Sequence, residues 1–129
     1  MTAATLSSAL LVLAGLINLA PVIGVISAAR VESLYGVTLA GRPDLEILLR
    51  HRAVLFGLLG AAMLYGAFDR DWFWPALGFG LVSMIAYAVL SAMIGGYGSQ
   101  LKLVLTMDVI GVAFALAAAG ARLSMGSAA

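Results

Sequence analysis

Long apolar runs alternate with short polar segments along the whole chain. The apolar runs cover residues 6–28, 48–68, 72–93 and 101–121. Each is close to the ~20 residues that an α-helix needs to cross the ~30 Å hydrocarbon core of a bilayer. The short polar links after the second and third runs make successive helices antiparallel neighbours. The pattern predicts an all-α membrane protein, a four-transmembrane-helix up-and-down bundle that forms a single domain over residues 1–129.

Composition strengthens this prediction and excludes several classes of protein. Hydrophobic residues make up 64% of the chain and charged residues 10%, which would leave a water-soluble domain with too much exposed apolar surface. The net charge of +1 forms no basic tract, so no nucleic acid partner is expected. Cysteine is absent from the sequence, which removes thiolate metal sites, iron–sulfur ligation and cysteine nucleophiles.

The first connection is the longest and most polar, covering about residues 30–43. Its middle part is apolar enough to lie along the membrane interface, which predicts a short interfacial helix or turn. Pro43 suits the first position of a helix, and Asp44 and Glu46 suit the positive end of its dipole, so the second long helix is expected to start near Pro43. In the first run, Asn18 and Pro21 predict a kink.

Ionisable residues inside the second and fourth runs are the main candidates for a functional site. Arg50, His51 and Arg52 precede an apolar stretch too short to span the bilayer, and Asp108 lies inside the fourth run. In an up-and-down bundle these residues share one leaflet at similar depth. Because an unpaired charge in hydrocarbon is costly, we expect Asp108 to pair with Arg50 or Arg52, with Glu46 completing a small ionic network.

Three further polar residues are secondary candidates for lining a pocket: Asn18, Tyr35 and Tyr87. For a lone Asn in a membrane helix, hydrogen bonding between helices is the simpler role. The ionic network likewise has two interpretations. It either holds helices in register, or forms a polar pocket that binds a headgroup, a quinone carbonyl or an anionic small molecule.

The single histidine limits cofactors and chemistry. A haem with two histidine ligands is impossible within one chain, and His/Met ligation is disfavoured because membrane methionines usually serve packing. No cofactor or metal site is predicted, although a quinone or lipid ligand fits the pocket interpretation. No catalytic residue is assigned, and the sequence leans towards a non-enzymatic protein.

Positive residues are distributed unequally between the two sides of the predicted bundle. Five flank the side of the first and third links and two flank the other: Arg30, Arg42, Arg50, Arg52 and Lys102 against Arg70 and Arg122. The positive-inside rule then places both termini outside the cytoplasm.

A resemblance to known proteins is carried by residues 30–37 (RVESLYGV), 43–46 (PDLE) and 49–60 (LRHRAVLFGLLG). This part of the chain resembles a group of short four-helix bacterial inner-membrane proteins of unassigned function, similar in architecture to DoxX-like membrane proteins. The resemblance implies an inner-membrane subunit associated with membrane redox or quinol chemistry or with its assembly. Such chains sometimes carry the label phosphopantetheine adenylyltransferase, but that label implies a soluble enzyme with a His-x-Gly-His motif, which one histidine cannot supply.

Three functions follow as hypotheses. The first is a non-catalytic accessory or lipid/quinone-binding protein, surrounded by membrane lipids and associated as a homo-oligomer or with a membrane redox complex. The second is a dimeric transporter of the small multidrug-exporter type, although the first run carries no acid. The third is a membrane enzyme that acts on a lipid or quinone.

Overall fold

A computed structural model describes residues 1–126 and confirms the all-α prediction. The α-helices are α1 (Ala3–Leu19), α2 (Ala28–Tyr35), α3 (Pro43–Gly66), α4 (Arg70–Ile94) and α5 (Ser99–Gly126), and a 3-10 segment (Ala20–Val25) continues α1. In this part of the chain, four helical spans are long and apolar enough to cross a membrane: Ala3–Val25, Pro43–Gly66, Arg70–Ile94 and Ser99–Met125.

The four spans form a ring in which α1 packs against α3 and α5, and α4 packs against the other sides of α3 and α5. Every helix that follows another span through a short link is its neighbour, which is the up-and-down arrangement that the sequence predicts. The predicted helix start at Pro43 is confirmed. The α-helical pattern of α1 changes to the 3-10 segment at Ala20, with Pro21 in its first turn, and the kink itself stays a prediction.

Glycines bring α1 and α3 close together. A Cβ atom built on Gly60 would lie 2.7 Å from the backbone nitrogen of Leu19, and one on Gly57 would lie 2.7 Å from Cγ2 of Val22. Small residues are the usual means of close helix contact where no hydrophobic effect drives the helices together. The face of α3 that includes Gly57 and Gly60 therefore fixes the position of the 3-10 segment.

Two apolar clusters fill the ends of the bundle. One, near the termini, includes Leu11, Met63, Phe73 and Ala115, all of them fully buried. The other joins α2 and the following loop to the starts of α3 and α5: its buried members are Val31, Tyr35 and Leu39, and its half-buried neighbours include Leu45, Leu49, Leu101 and Val104. Along α5, Asp108 lies between the residues of these two clusters.

Helix α2 is the short helix predicted for the first connection. Ser27 accepts a hydrogen bond from the backbone N–H of Arg30 at its start, and Gly36 ends it in a left-handed conformation, φ 65°. The carboxylate of Glu32 then accepts a 2.6 Å hydrogen bond from the backbone N–H of Leu39. These contacts hold the connection against the bundle, where Tyr35 and Leu34 cover the space between α1 and α5.

Candidate functional site

Arg50 and Arg52 lie on opposite sides of α3. Since an α-helix turns by about 100° per residue, side chains two positions apart point about 200° apart. Although they lie in the same helical turn, the two arginines therefore cannot both join one ionic network. The structure shows two separate polar groups, which we call the outer clamp and the inner polar cavity.

The outer clamp consists of Glu46, Arg50 and the carbonyl of Val25. Nη1 of Arg50 donates a 2.9 Å hydrogen bond to Oε1 of Glu46, and Nη2 donates a 2.8 Å hydrogen bond to the carbonyl oxygen of Val25. The Val25 carbonyl is the last of the 3-10 segment, where backbone acceptors lack helical partners. Arg50 thus connects the end of the first span to α3, and both charged side chains of the clamp have a hydrogen-bond partner.

Arg52 has surroundings of a different kind. Its guanidinium carbon lies 5.7 Å from the ring centre of Tyr35, 4.9 Å from that of Phe56 and 5.2 Å from that of Tyr87. A guanidinium over aromatic faces is favoured electrostatically. Nevertheless, the Nε atom is buried and has no hydrogen-bond acceptor among the described residues.

The inner polar cavity has a volume of about 150 Å³ and lies between α1, α2, α3 and α5. Its lining residues are Ile17, Asn18, Ala20, Pro21, Leu34, Tyr35, Phe56, Leu103, Val104, Met107 and Asp108. Apolar side chains thus surround three polar ones, each contributed by a different helix. Small-molecule sites in proteins usually have a mostly apolar lining with a small number of polar groups.

Two polar atoms of this cavity lack a hydrogen-bond partner within the described part of the protein. Asn18 is 1% exposed and donates through Nδ2 to the carbonyl of Ala14 at 3.1 Å, but its Oδ1 atom is buried with no donor nearby. The hydroxyl of Tyr35, 6% exposed, forms no well-aligned hydrogen bond. Burial raises the pKa of Tyr35, and the nearby charge of Arg52 opposes that shift.

Asp108 is the acid at the cavity wall. The residue is 6% exposed, and no cation in residues 1–126 lies close enough to its carboxylate to form an ion pair. Arg52 and Asp108 each come nine residues after the start of their helix, which puts both about 14 Å along parallel helices. Arg52 is the cation that interacts electrostatically with Asp108 without touching it.

The predicted ionic network is therefore wrong as a single unit. Glu46 and Arg50 pair with each other on the outer side of α3, where they cannot reach Asp108. Arg52 is turned towards Asp108, but it is held by aromatic rings rather than by an ion pair. His51 is exposed and does not line the cavity.

The secondary candidates also separate. Asn18 and Tyr35 line the inner cavity together with Asp108. Tyr87 lies outside it, where its hydroxyl donates a 3.3 Å hydrogen bond to the carbonyl of Leu101. Sequence reasoning missed Phe56, which lies one turn after Arg52 and lines the cavity; that helical spacing was the available signal.

A second space adjoins the first. An open groove of about 350 Å³ runs between α3 and α4 and is lined by Arg52, Leu55, Phe56, Leu59, Ser83, Ala86, Tyr87 and Leu90. We call it the lateral groove. Phe56 lines both spaces, so its ring forms part of the wall between the lateral groove and the inner polar cavity.

The available side chains support hydrogen bonding to a neutral ligand. Asp108 and Oδ1 of Asn18 accept hydrogen bonds, the Tyr35 hydroxyl donates or accepts, and Nε–H of Arg52 donates. In the described residues, no three His, Cys, Asp or Glu side chains gather where they could hold a metal ion.

Comparisons with models of known families, with curated proteins and with solved structures found no match.

Proposed function

We propose that this protein binds a lipid-soluble molecule with a ring-shaped polar head, of the quinone or quinol kind, and acts as a non-catalytic accessory protein in the membrane. The carrying observation is the convergence of Asn18, Tyr35 and Asp108 on one cavity, where Oδ1 of Asn18 and the Tyr35 hydroxyl are buried without a hydrogen-bond partner. An unpaired buried polar atom costs about 1–3 kcal/mol. Two such atoms in the wall of the cavity, with Nε of Arg52 in the adjoining lateral groove, are best explained by a ligand that pairs with them.

The size of the cavity matches such a head. An apolar protein cavity of ~150 Å³ is large enough to hold a benzene ring. A six-membered ring with two oxygen substituents therefore fills the inner polar cavity, whereas a diacyl phospholipid headgroup with its glycerol does not.

The polar atoms match both redox forms of the ring. A quinol donates its two hydroxyl hydrogens to the carboxylate of Asp108 and to Oδ1 of Asn18. A quinone accepts a hydrogen bond at one carbonyl from the Tyr35 hydroxyl, and Nε–H of Arg52, in the adjoining lateral groove, is a second donor near the cavity. Binding of both forms suits an accessory role beside membrane redox enzymes.

The position of His51 favours binding over turnover. This side chain, the single histidine of the sequence, is exposed and does not line the cavity. Proton exchange with the ligand is left to Asp108 and Tyr35, which are buried in the wall of the cavity. The proposal therefore assigns ligand retention, not redox chemistry, to this cavity.

The proposed location is a bacterial inner membrane, with both termini on the non-cytoplasmic side. Arg52 is enclosed by aromatic rings and does not count as a loop charge. The outer clamp engages Arg50, so the free positive charges beside α2 and the third link are Arg30, Arg42 and Lys102, against Arg70 and Arg122 at the opposite end. Positive residues are therefore still more numerous on the side of α2, which supports a cytoplasmic location for α2. Association as a homo-oligomer remains part of the proposal.

Native mass spectrometry of the protein in native nanodiscs tests the function. The wild-type protein should retain a small molecule whose fragmentation shows an oxygenated ring. Asp108→Asn and Tyr35→Phe should each reduce the retained fraction by at least about tenfold, because each loses a hydrogen bond in an enclosed site. Glu46→Gln, which changes the outer clamp, serves as the matched acid control and should retain the molecule. Equal retention by all variants, or no retained molecule in the wild type, would contradict the proposal.

A further inference from the structure

The lateral groove raises the question of how a membrane-dissolved molecule reaches the inner cavity. Towards the interface α2 covers the cavity, where Tyr35 and Leu34 form part of its lining. On the terminal side the bundle is filled by fully buried side chains such as Leu11 and Met63. The lateral groove, by contrast, opens between α3 and α4 towards the region that lipid occupies.

The wall between the two spaces includes one aromatic ring with a charged group beside it. Phe56 lines both spaces, and the guanidinium of Arg52 packs 4.9 Å from its ring. Arg52 also lines the groove, with a buried Nε–H that no protein acceptor satisfies. A ligand with an oxygenated head in the cavity and a chain in the groove would pass this wall, where the unpaired donor can bind a head oxygen.

We infer that the lateral groove holds the apolar chain of the same molecule whose head occupies the inner polar cavity, and that this chain passes Phe56, which lines both spaces. This inference rests on the proposed function and adds the ligand class: a single-chain amphipath with a hydroxyl- or carbonyl-bearing ring. The groove's lining fits the chain, since Leu55, Leu59 and Leu90 are apolar and Ala86 leaves space between them.

The chain of the ligand provides the test. The probes are a benzoquinone that carries a long straight alkyl chain and the same ring without a chain, with binding measured in nanodiscs and concentrations expressed per lipid. For the wild type, the tailed probe should bind at least about tenfold more tightly, because its chain buries apolar surface in the groove. Ala86→Trp fills the groove and should abolish this advantage while affinity for the tailless ring stays unchanged.

Ile85→Trp is the matched control. Ile85 is on the same helix, is 47% exposed and lies outside the groove lining, so the added ring should leave the advantage of the chain intact. If Ala86→Trp keeps the full advantage, or Ile85→Trp loses it equally, the lateral groove does not hold the chain. If neither probe binds the wild type, the proposed function itself fails. Tight binding of both probes with equal affinity overturns only the groove inference.

Discussion

Arg50 and Arg52 are two residues apart on α3, yet only Arg50 finds hydrogen-bond acceptors in the protein. Arg50 donates to Glu46 and to the Val25 carbonyl, at 2.9 Å and 2.8 Å. Arg52 lies among three aromatic rings and keeps a buried Nε–H without an acceptor. The contacts of Arg50 within the protein explain its position fully. The unpaired Nε–H of Arg52, by contrast, lowers the stability of the folded protein in the absence of a ligand.

This difference separates structural from functional polar groups in a membrane bundle. Buried polar atoms are nearly always paired in folded proteins, so a cluster of exceptions needs a cause. The exceptions here are Oδ1 of Asn18, the Tyr35 hydroxyl and Nε of Arg52, and all lie in or beside one cavity. The outer clamp contains none.

The largest expected effect on stability is the loss of the outer clamp. Arg50→Met keeps the apolar stem but removes the hydrogen bonds to Val25 and Glu46. Charge-assisted hydrogen bonds contribute about 1.5–3 kcal/mol, so the free energy of unfolding should fall by about 2–3 kcal/mol. Unfolding in mixed detergent micelles measures the loss. Glu46→Gln should lose only about 0.5 kcal/mol, since it removes only an i, i+4 ion pair.

The helix contact that the outer clamp secures gives the next effect. Gly60→Ala places a Cβ atom 2.7 Å from the backbone nitrogen of Leu19, which forces α1 and α3 apart. We expect a loss of about 2 kcal/mol from this overpacking, measured by the same unfolding experiment. Gly78→Ala is the control, because its Cβ meets nothing within 4 Å and alanine favours the helix. Equal losses for the two variants would contradict the proposed close contact.

A smaller and opposite effect is expected in the inner cavity. Tyr35→Phe removes a buried hydroxyl without a well-aligned partner, so the ligand-free protein should gain about 1 kcal/mol. Ser7→Ala removes a buried hydroxyl that donates a 2.9 Å hydrogen bond to the Ala118 carbonyl, and should lose about 1 kcal/mol. Loss of stability in Tyr35→Phe would show that the protein itself satisfies the hydroxyl.

The smallest effect is in the titration of Tyr35. Its pKa is raised by burial, so the folded state favours the neutral phenol. The stabilising contribution is therefore fully present below the unfolded-state pKa of about 10 and is lost as the pH rises through the higher folded-state pKa. Absorbance of the wild type should show a late-titrating tyrosine that is missing from Tyr35→Phe. Identical titration curves would contradict the burial of this hydroxyl.

The pattern of apolar runs predicted the spans, the neighbour relations of the helices and the start of α3 because these features depend on local sequence and membrane thickness. Helix phase explains what was missed. Charge and depth place Arg50, Arg52 and Asp108 in one leaflet. What separates Arg50 from Arg52 is the direction of their side chains around the helix axis, which differs by about 200° between two positions. Which side faces α5 depends on the packing of Gly57 and Gly60 against α1.

The cavity itself was less predictable than its residues. Asn18, Tyr35 and Asp108 stood out as polar residues in apolar surroundings, but they come from three different helices. Their convergence depends on α2 folding back over the bundle through the Glu32 contact to Leu39. Phe56 carries no polar signal, so its position between the two spaces required the structure.

The most direct test of the difference between the two regions is the melting temperature of Arg50→Met and Arg52→Met, each with and without the tailed quinone. A ligand that binds only the folded protein raises its melting temperature. We expect Arg50→Met to melt earlier than the wild type but to keep the rise with ligand. Arg52→Met should melt close to the wild type without ligand and lose most of the rise. If Arg52→Met keeps the full rise, or if the two variants behave alike, the division into a structural clamp and a ligand-binding cavity is wrong.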